Sequence, residues 1–207
     1  RRRPRAAGAA QAGEVGAMSD RIALLEVSTW CPGFVDAIRS HYTGSSGAPP
    51  GKKLAWRIVS DGRQVGWIGV GEPAYKLAPR RRLGLADARP LPGTVCCFIY
   101  RRTMEDGPAG AEVLAAYHSA AAAEWLRRWG EVIEHWETLV EPSSVASPVP
   151  GACFRRAGYR SLGLTTGRTA RRPAGHSRGA RVWSDGTPKL VLYRGPLVRL
   201  PSSRWER

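Results

Sequence analysis

Acidic side chains are scarce in this chain: 17 Asp and Glu stand against 32 Lys and Arg among 207 residues, a formal net charge of +15. A surplus of that size excludes an acidic, solvating chain and gives long-range attraction to polyanions, without fixing a fold. Nucleic acid is the first partner to expect. An anionic membrane surface is the competitor, but no basic amphipathic helix with a broad apolar face is visible. Cysteine is sparse too. Cys31, Cys96, Cys97 and Cys153 contain no C-x-x-C pair and no zinc-type spacing, so neither a disulfide framework nor a structural metal is indicated. Long apolar runs are missing: nothing approaches the ~20 residues that span a bilayer, and the N-terminal arginines precede no signal-peptide core. The expectation is a soluble, cytoplasmic protein with no membrane partner. The tryptophan-bearing stripe from Val113 to Trp129 and the tail residue Trp205 leave a homo-oligomer open without locating its interface.

With 43% hydrophobic residues, the chain suffices for one domain with a core and is short for two. Residues 1–17, rich in Arg, Ala and Gly without periodicity, read as a disordered basic extension, 18–200 as a single domain and 201–207 as a tail. Apolar residues near helical spacing predict a short helix over 33–42. Leu54 to Val59 and Gln64 to Val70 flank Ser60-Asp61-Gly62-Arg63, and Asp-Gly between two such runs predicts a hairpin. A basic turn at 76–82 precedes a buried strand over 94–100, where the adjacent Cys96 and Cys97 point to opposite faces as small hydrophobes. Val113, Tyr117, Ala121, Trp125 and Trp129 recur every four residues and predict a long helix whose stripe is core. A strand over 133–140, a short helix over 151–157 and strands over 161–165 and 190–193 complete the order. The fold class is therefore α/β, in the α+β sense: a mixed, mostly antiparallel central sheet flanked by helices.

That order, with the passage Ala152-Cys153-Phe154-Arg155-Arg156-Ala157-Gly158-Tyr159-Arg160-Ser161-Leu162-Gly163, resembles the GNAT acyltransferase fold. A closer resemblance spans Ala37 to Pro196. It is carried by His41-Tyr42, Gly66-Trp67-Ile68-Gly69, Leu77-Ala78-Pro79-Arg80, Glu137-Thr138-Leu139-Val140-Glu141-Pro142, and Cys153 to Tyr159 through Thr166-Gly167-Arg168. These pieces resemble the Mom DNA-modification proteins of phages and the DruA component of Druantia anti-phage systems; the DruA likeness is clearest in Leu77-Ala78-Pro79-Arg80 and around Pro188-Lys189. The Mom resemblance implies carbamoylmethylation of adenine's exocyclic amine, or a related acyl transfer, with an acyl-CoA or related donor. One departure stands out. Where the acyltransferase pattern has a tyrosine four residues before Gly158, able to protonate a leaving thiolate, this chain has Phe154.

Four residues are candidates for catalysis. Glu137 and Glu141, placed on one face by strand alternation, are candidate bases, or else surface carboxylates offsetting nearby arginines. His41, which titrates near neutrality, and Tyr42 close the first helix and are candidates for the substrate cleft; a helix cap is the plainer role for such a histidine. His118, His135 and His176 show no ligand spacing, and no metal is expected. Tyr100 and the turn Gly107, Ala109 and Gly110 at the start of the long helix are the candidate donor-binding residues, since helix N-termini hold anions, although Glu105 and Asp106 there repel phosphate. For DNA, Arg80, Arg81 and Arg82 form one basic cluster. Arg155, Arg156, Arg160, Arg168, Arg171 and Arg172 belong to a second, in which eight arginines fall between 155 and 181 with no acid, a composition suited to phosphate contacts. A DNA-base-modifying transferase in a phage or anti-phage setting is the leading expectation. An N-acetyltransferase of a small amine or protein, and a non-catalytic DNA-binding defence subunit, are the alternatives.

Overall fold

The structure, a computed structural model, describes residues 21–41, 48–104, 107–145, 147–166 and 187–196. The extension expected over 1–17 and the tail over 201–207 lie outside these residues. Among the described residues seven strands form one sheet: β1 (Ile22–Val27), β2 (Lys53–Ser60), β3 (Arg63–Gly71), β4 (Thr94–Arg102), β5 (His135–Val140), β6 (Arg160–Leu164) and β7 (Leu190–Arg194), in the spatial order β1-β2-β3-β4-β5-β7-β6. Only β4 and β5 run parallel, as they must when a long helix, α2 (Gly110–Trp129), connects them. This is the mixed, mostly antiparallel sheet flanked by helices that the element order led one to expect.

The hairpin turns where Asp-Gly stands. Asp61 has φ 49° and Gly62 φ 74°, both in the left-handed region, the pairing whose twist matches the strands it joins. A Cβ on Gly62 meets nothing within 4 Å, so the backbone alone sets the penalty of adding one. Gly62→Ala is therefore expected to lower unfolding free energy by about 1 kcal/mol, read from the urea midpoint; no change in that midpoint would mean the turn is not held in this form.

Two layers cover the sheet. On one face lie α2 and the short α3 (Ala152–Arg156). Val113, Tyr117, Ala121 and Trp125, the foreseen stripe, are buried, and they pack with Ile58, Val95, Cys97, Trp136 and Leu192 of the sheet. α2 stops at Gly130, whose φ of 66° allows its N–H to close on the Leu126 carbonyl at 2.8 Å. The other face carries α1 (Pro32–Arg39) and a 3₁₀ turn, Ala78–Leu83. An eight-residue helix is not stable by itself; α1 is held by Phe34, Ala37 and Ile38, buried on Ala55, Trp67 and Ile99. Leu83 of the 3₁₀ turn docks on Leu162, Val191 and Tyr193.

β1 was not foreseen. Ile22-Ala23-Leu24-Leu25-Glu26-Val27 breaks strict alternation, with Leu25 42% exposed, and its strand form rests on pairing with β2 from Ile22–Ser60 to Val27–Ala55. β5 also begins two residues later than expected, because the N–H groups of Glu134 and His135 both turn to the Gly93 carbonyl at 3.0 and 3.2 Å.

Candidate functional site

The parallel β4–β5 pairing is short. It runs from Thr94–His135 to Cys97–Thr138, where the Thr138 hydroxyl also donates to the Cys97 carbonyl at 3.0 Å. β4 continues to Arg102 and β5 to Val140 without pairing to each other. The cause is visible on the other edge of β4. Opposite β3, Cys97 faces Val70 and Ile99 faces Gly69, so Phe98 is an extra residue, a bulge that bends its strand. The result is a wedge between the C-terminal parts of the two strands, with α2 and α3 on one face of the sheet and α1 on the other.

On the α2 side the wedge is walled by Tyr100, Gly110 and Cys153. A Cβ placed on Gly110 would lie 2.7 Å from the Cys153 Cβ and 3.2 Å from the Tyr100 hydroxyl. α3 thus sits against the first residue of α2 because that residue has no side chain. The Tyr100 hydroxyl is buried and has no hydrogen-bond partner among the described residues. Burial pushes its phenol up, with Cys153 adding to the shift. Phe154, buried beside it, sets its ring edge-on at 6.0 Å from Tyr100 and 5.2 Å from Tyr159. Gly107 is tied back to β4 by Arg102, which donates to its carbonyl at 3.1 Å. Ala109 precedes α2 and accepts from the Glu112 and Val113 N–H groups. Of the four candidate donor-binding residues, Tyr100 and Gly110 meet at the α2–α3 seam, Ala109 is next to Gly110 in the chain, and Gly107 is tied to β4. Glu112 is an acid in the first turn of α2, which works against a phosphate at this helix end.

On the α1 side stands His41. It is buried, and its imidazole is lowered to about 4 by burial first, then by Arg101 and Lys189, against an opposing effect of Glu141. The ring is therefore neutral at physiological pH, and the same surroundings make it a weak base. Glu141, just past β5, accepts from the Lys189 ammonium at 2.9 Å and from the Ser143 and Ser144 hydroxyls at 3.2 and 2.9 Å. Arg101 donates to the Ser40 hydroxyl at the end of α1. The structure thus brings His41 and Glu141 into one charged cluster, and adds Arg101 and Lys189, which did not figure among the sequence candidates. Tyr42 lies outside the described residues.

Two expectations are corrected here. Glu137 shares a face with Glu141 as alternation required, yet it is no base in an open cleft. Its carboxylate, 2% exposed, takes two hydrogen bonds from Arg80, Nε to Oε1 at 2.7 Å and Nη2 to Oε2 at 2.6 Å. Arg80 in turn is fully buried, its remaining Nη1 donating to the Ala74 and Ala88 carbonyls at 2.8 and 3.1 Å. A guanidinium with every edge engaged inside the protein has none for a phosphate, so Arg80 leaves the DNA-contact set. It pins the 3₁₀ turn to β5 instead.

Its neighbours point the other way. Arg81 and Arg82 are exposed, Arg82 lying over the backbone of Gly163 in β6. Arg155 and Arg156 are exposed in the last turn of α3, and Arg160 lies over the Tyr193 ring at 5.0 Å. Arg168, Arg171 and Arg172 lie outside the described residues. Among the described residues no group of three or more His, Cys, Asp or Glu is arranged to hold a metal ion, and no helix is long and apolar enough to cross a membrane.

No family model matches the sequence, and no curated protein matches it. Among solved structures, it is similar to aminoglycoside acetyltransferase AAC(6')-Ib in complex with paromomycin and acetyl-CoA: 13% identity, 85% of this chain and 94% of that one, TM-score 0.49. The same enzyme in complex with coenzyme A aligns at 15% identity over 69% of this chain and 66% of that one, TM-score 0.40. RimJ of Mycobacterium smegmatis, in complex with CoA-disulfide, aligns at 14% identity over 69% and 53%, TM-score 0.38. The chain thus spans just under two thirds of the AAC(6')-Ib chain bound to coenzyme A alone.

Proposed function

We propose that this chain is an acyltransferase of GNAT type that passes an acyl group from a coenzyme A thioester to an amine. The observation that carries the reading is the wedge itself. Two strands stop pairing at Cys97 and Thr138, with a buried phenol that has no hydrogen-bond partner among the described residues on one side and a neutral imidazole in a charged cluster on the other. Those are the two demands of the chemistry: a leaving sulfur to be met by a proton donor, and an amine nitrogen that must lose a proton. Tyr100, Gly107, Ala109 and Gly110 hold the donor in this reading, and His41, with Glu141 beside it, faces the acceptor. Coenzyme A supplies the activated thioester.

A second reading specifies the acceptor as a DNA base, the exocyclic amine of adenine, as in Mom-like modification. The charge favours it: a surplus of +15, with Arg81, Arg82, Arg155 and Arg156 turned to solvent, suits a polyanion better than a free aminoglycoside-like cation. The adenine amine is a poor nucleophile because its lone pair is delocalised into the ring, so holding it against the thioester has to supply much of the rate.

The experiment is a calorimetric titration with acetyl-CoA. It is followed by mass spectrometry of spermidine, a peptide with a free N-terminus and an adenine-containing oligonucleotide after incubation with protein and acetyl-CoA. Binding plus an acylated product is expected, and the acylated member identifies the acceptor class. A chain that binds no acetyl-CoA and modifies none of the three abolishes the reading; DNA binding that weakens steeply with salt would then leave a DNA-binding protein without chemistry.

A further inference from the structure

We propose that Tyr100, on the sheet, is the proton donor to the leaving sulfur, the role that Phe154 has no hydroxyl to fill. This rests on the acyl-CoA reading above.

Four observations converge on it. The Tyr100 hydroxyl is buried with no hydrogen-bond partner among the described residues. A buried hydroxyl left unpaired costs about 1–3 kcal/mol, a cost that an acceptor atom of a ligand removes. Second, the hydroxyl lies at the α2–α3 seam, 3.2 Å from where a Gly110 Cβ would stand, so a side chain at 110 would crowd it. Third, the seam is near the surface: Cys153, whose side chain forms its other wall, is only partly covered. Fourth, the Phe154 ring stands edge-on against Tyr100 at 6.0 Å, so the missing and the present hydroxyl serve one neighbourhood from two elements. The bulge at Phe98 allows this: across the extra residue, Tyr100 faces the same α2–α3 side as Cys97. Without it, alternation would send a residue three places on to the opposite face.

The proton balance is simple. As the amine nitrogen bonds to the thioester carbonyl carbon and the C–S bond breaks, Tyr100 Oη–H passes its proton to sulfur, giving the free thiol. The proton lost by the acylated nitrogen returns to the phenolate by way of solvent. Burial holds the phenol protonated until that moment.

The test uses the full chain, coenzyme A and acetyl-CoA. Calorimetry is expected to show Tyr100→Phe still binding coenzyme A, about tenfold more weakly, because the hydrogen bond that satisfies the buried hydroxyl in the complex is lost. The bound thiol, followed by its ultraviolet thiolate absorbance against pH, is expected to titrate higher in the variant, since the donor to the thiolate is gone. Thiol release from acetyl-CoA should fall about 100-fold in kcat with KM for acetyl-CoA little changed. The double variant Tyr100→Phe/Phe154→Tyr, which moves the hydroxyl across the ring contact, should recover part of that loss. If Tyr100→Phe binds coenzyme A, titrates its bound thiol as wild type does and keeps wild-type kcat, the assignment of Tyr100 is wrong while the donor site stands. If the wild-type chain binds no coenzyme A, both fall together.

Discussion

Glu137→Ala is expected to lose about 3–5 kcal/mol of unfolding free energy, a large share of what a domain this size has. The loss follows from what is left behind. With the carboxylate gone, Arg80 keeps only the Ala74 and Ala88 carbonyls, neutral acceptors for a cation that is fully buried. Water cannot reach it without lifting the 3₁₀ turn off β5 and β6. Arg80→Ala strands the opposite charge and should cost a similar amount. Replacing both, with Arg80→Met and Glu137→Leu, removes the desolvation problem and is expected to recover most of the stability. Urea unfolding of the three variants measures this. A Glu137→Ala protein within about 0.5 kcal/mol of wild type that nonetheless loses activity would return Glu137 to the role of base, with the ion pair at most incidental.

The second large effect is on acid stability, and it comes from histidines kept neutral. His118 accepts at Nδ1 from Arg194 Nη1 at 2.9 Å, and a guanidinium can only donate, so the neutral ring carries its proton on Nε2 and donates to the Tyr159 hydroxyl at 2.8 Å. Burial, then Arg194, lowers this imidazole to about 3. Burial, then Arg101 and Lys189, lowers His41 to about 4. Burial also lowers His135, whose Nδ1 lies 2.7 Å from the Tyr193 hydroxyl. The direction is settled by which state binds protons. Above the ordinary value of 6.5 these rings are neutral folded or unfolded, and they add no pH dependence. Below it the unfolded chain takes up protons that the native state refuses, so stability falls as pH drops from 6.5 toward 3. At about 1.4 kcal/mol per pH unit of displacement, His41 and His118 together put on the order of 8 kcal/mol at stake by pH 3. Urea midpoints at pH 7.5 and pH 4 should show the drop, and His118→Gln should flatten it while lowering stability at pH 7.5. An unchanged midpoint between the two pH values would mean that these rings protonate in place.

Much of the scaffold could be read before folding because local chemistry decides it. Asp61-Gly62 has few alternatives to a tight turn, and a four-residue apolar stripe from Val113 to Trp125 has one way to face a sheet. β1 was illegible for the opposite reason: its evidence lies in its partner β2, not in its own six residues. The site shows the same division. Tyr100 and Gly110 were legible as neighbours of a helix start after a strand. Arg80, Arg81 and Arg82 look alike in sequence, and only the 3₁₀ turn distinguishes them, turning the first inward to Glu137 and the other two out. Lys189 and Arg101 reach His41 from elements distant in sequence, so no spacing rule relates them. The significance of Phe154 was legible as a missing hydroxyl; that another hydroxyl stands against its ring depends on a bulge, which only the pairing register reveals.

The short parallel seam has a mechanical consequence. β1 to β4 are closed among themselves by antiparallel pairing, as are β5, β7 and β6, and among the described residues the two halves of the sheet share only four backbone pairings, Thr94–His135 to Cys97–Thr138. Compliance is therefore concentrated along one line. Along that line the sheet is held less by its own hydrogen bonds than by α2, whose core contacts reach strands of both halves, and by the Arg80–Glu137 ion pair.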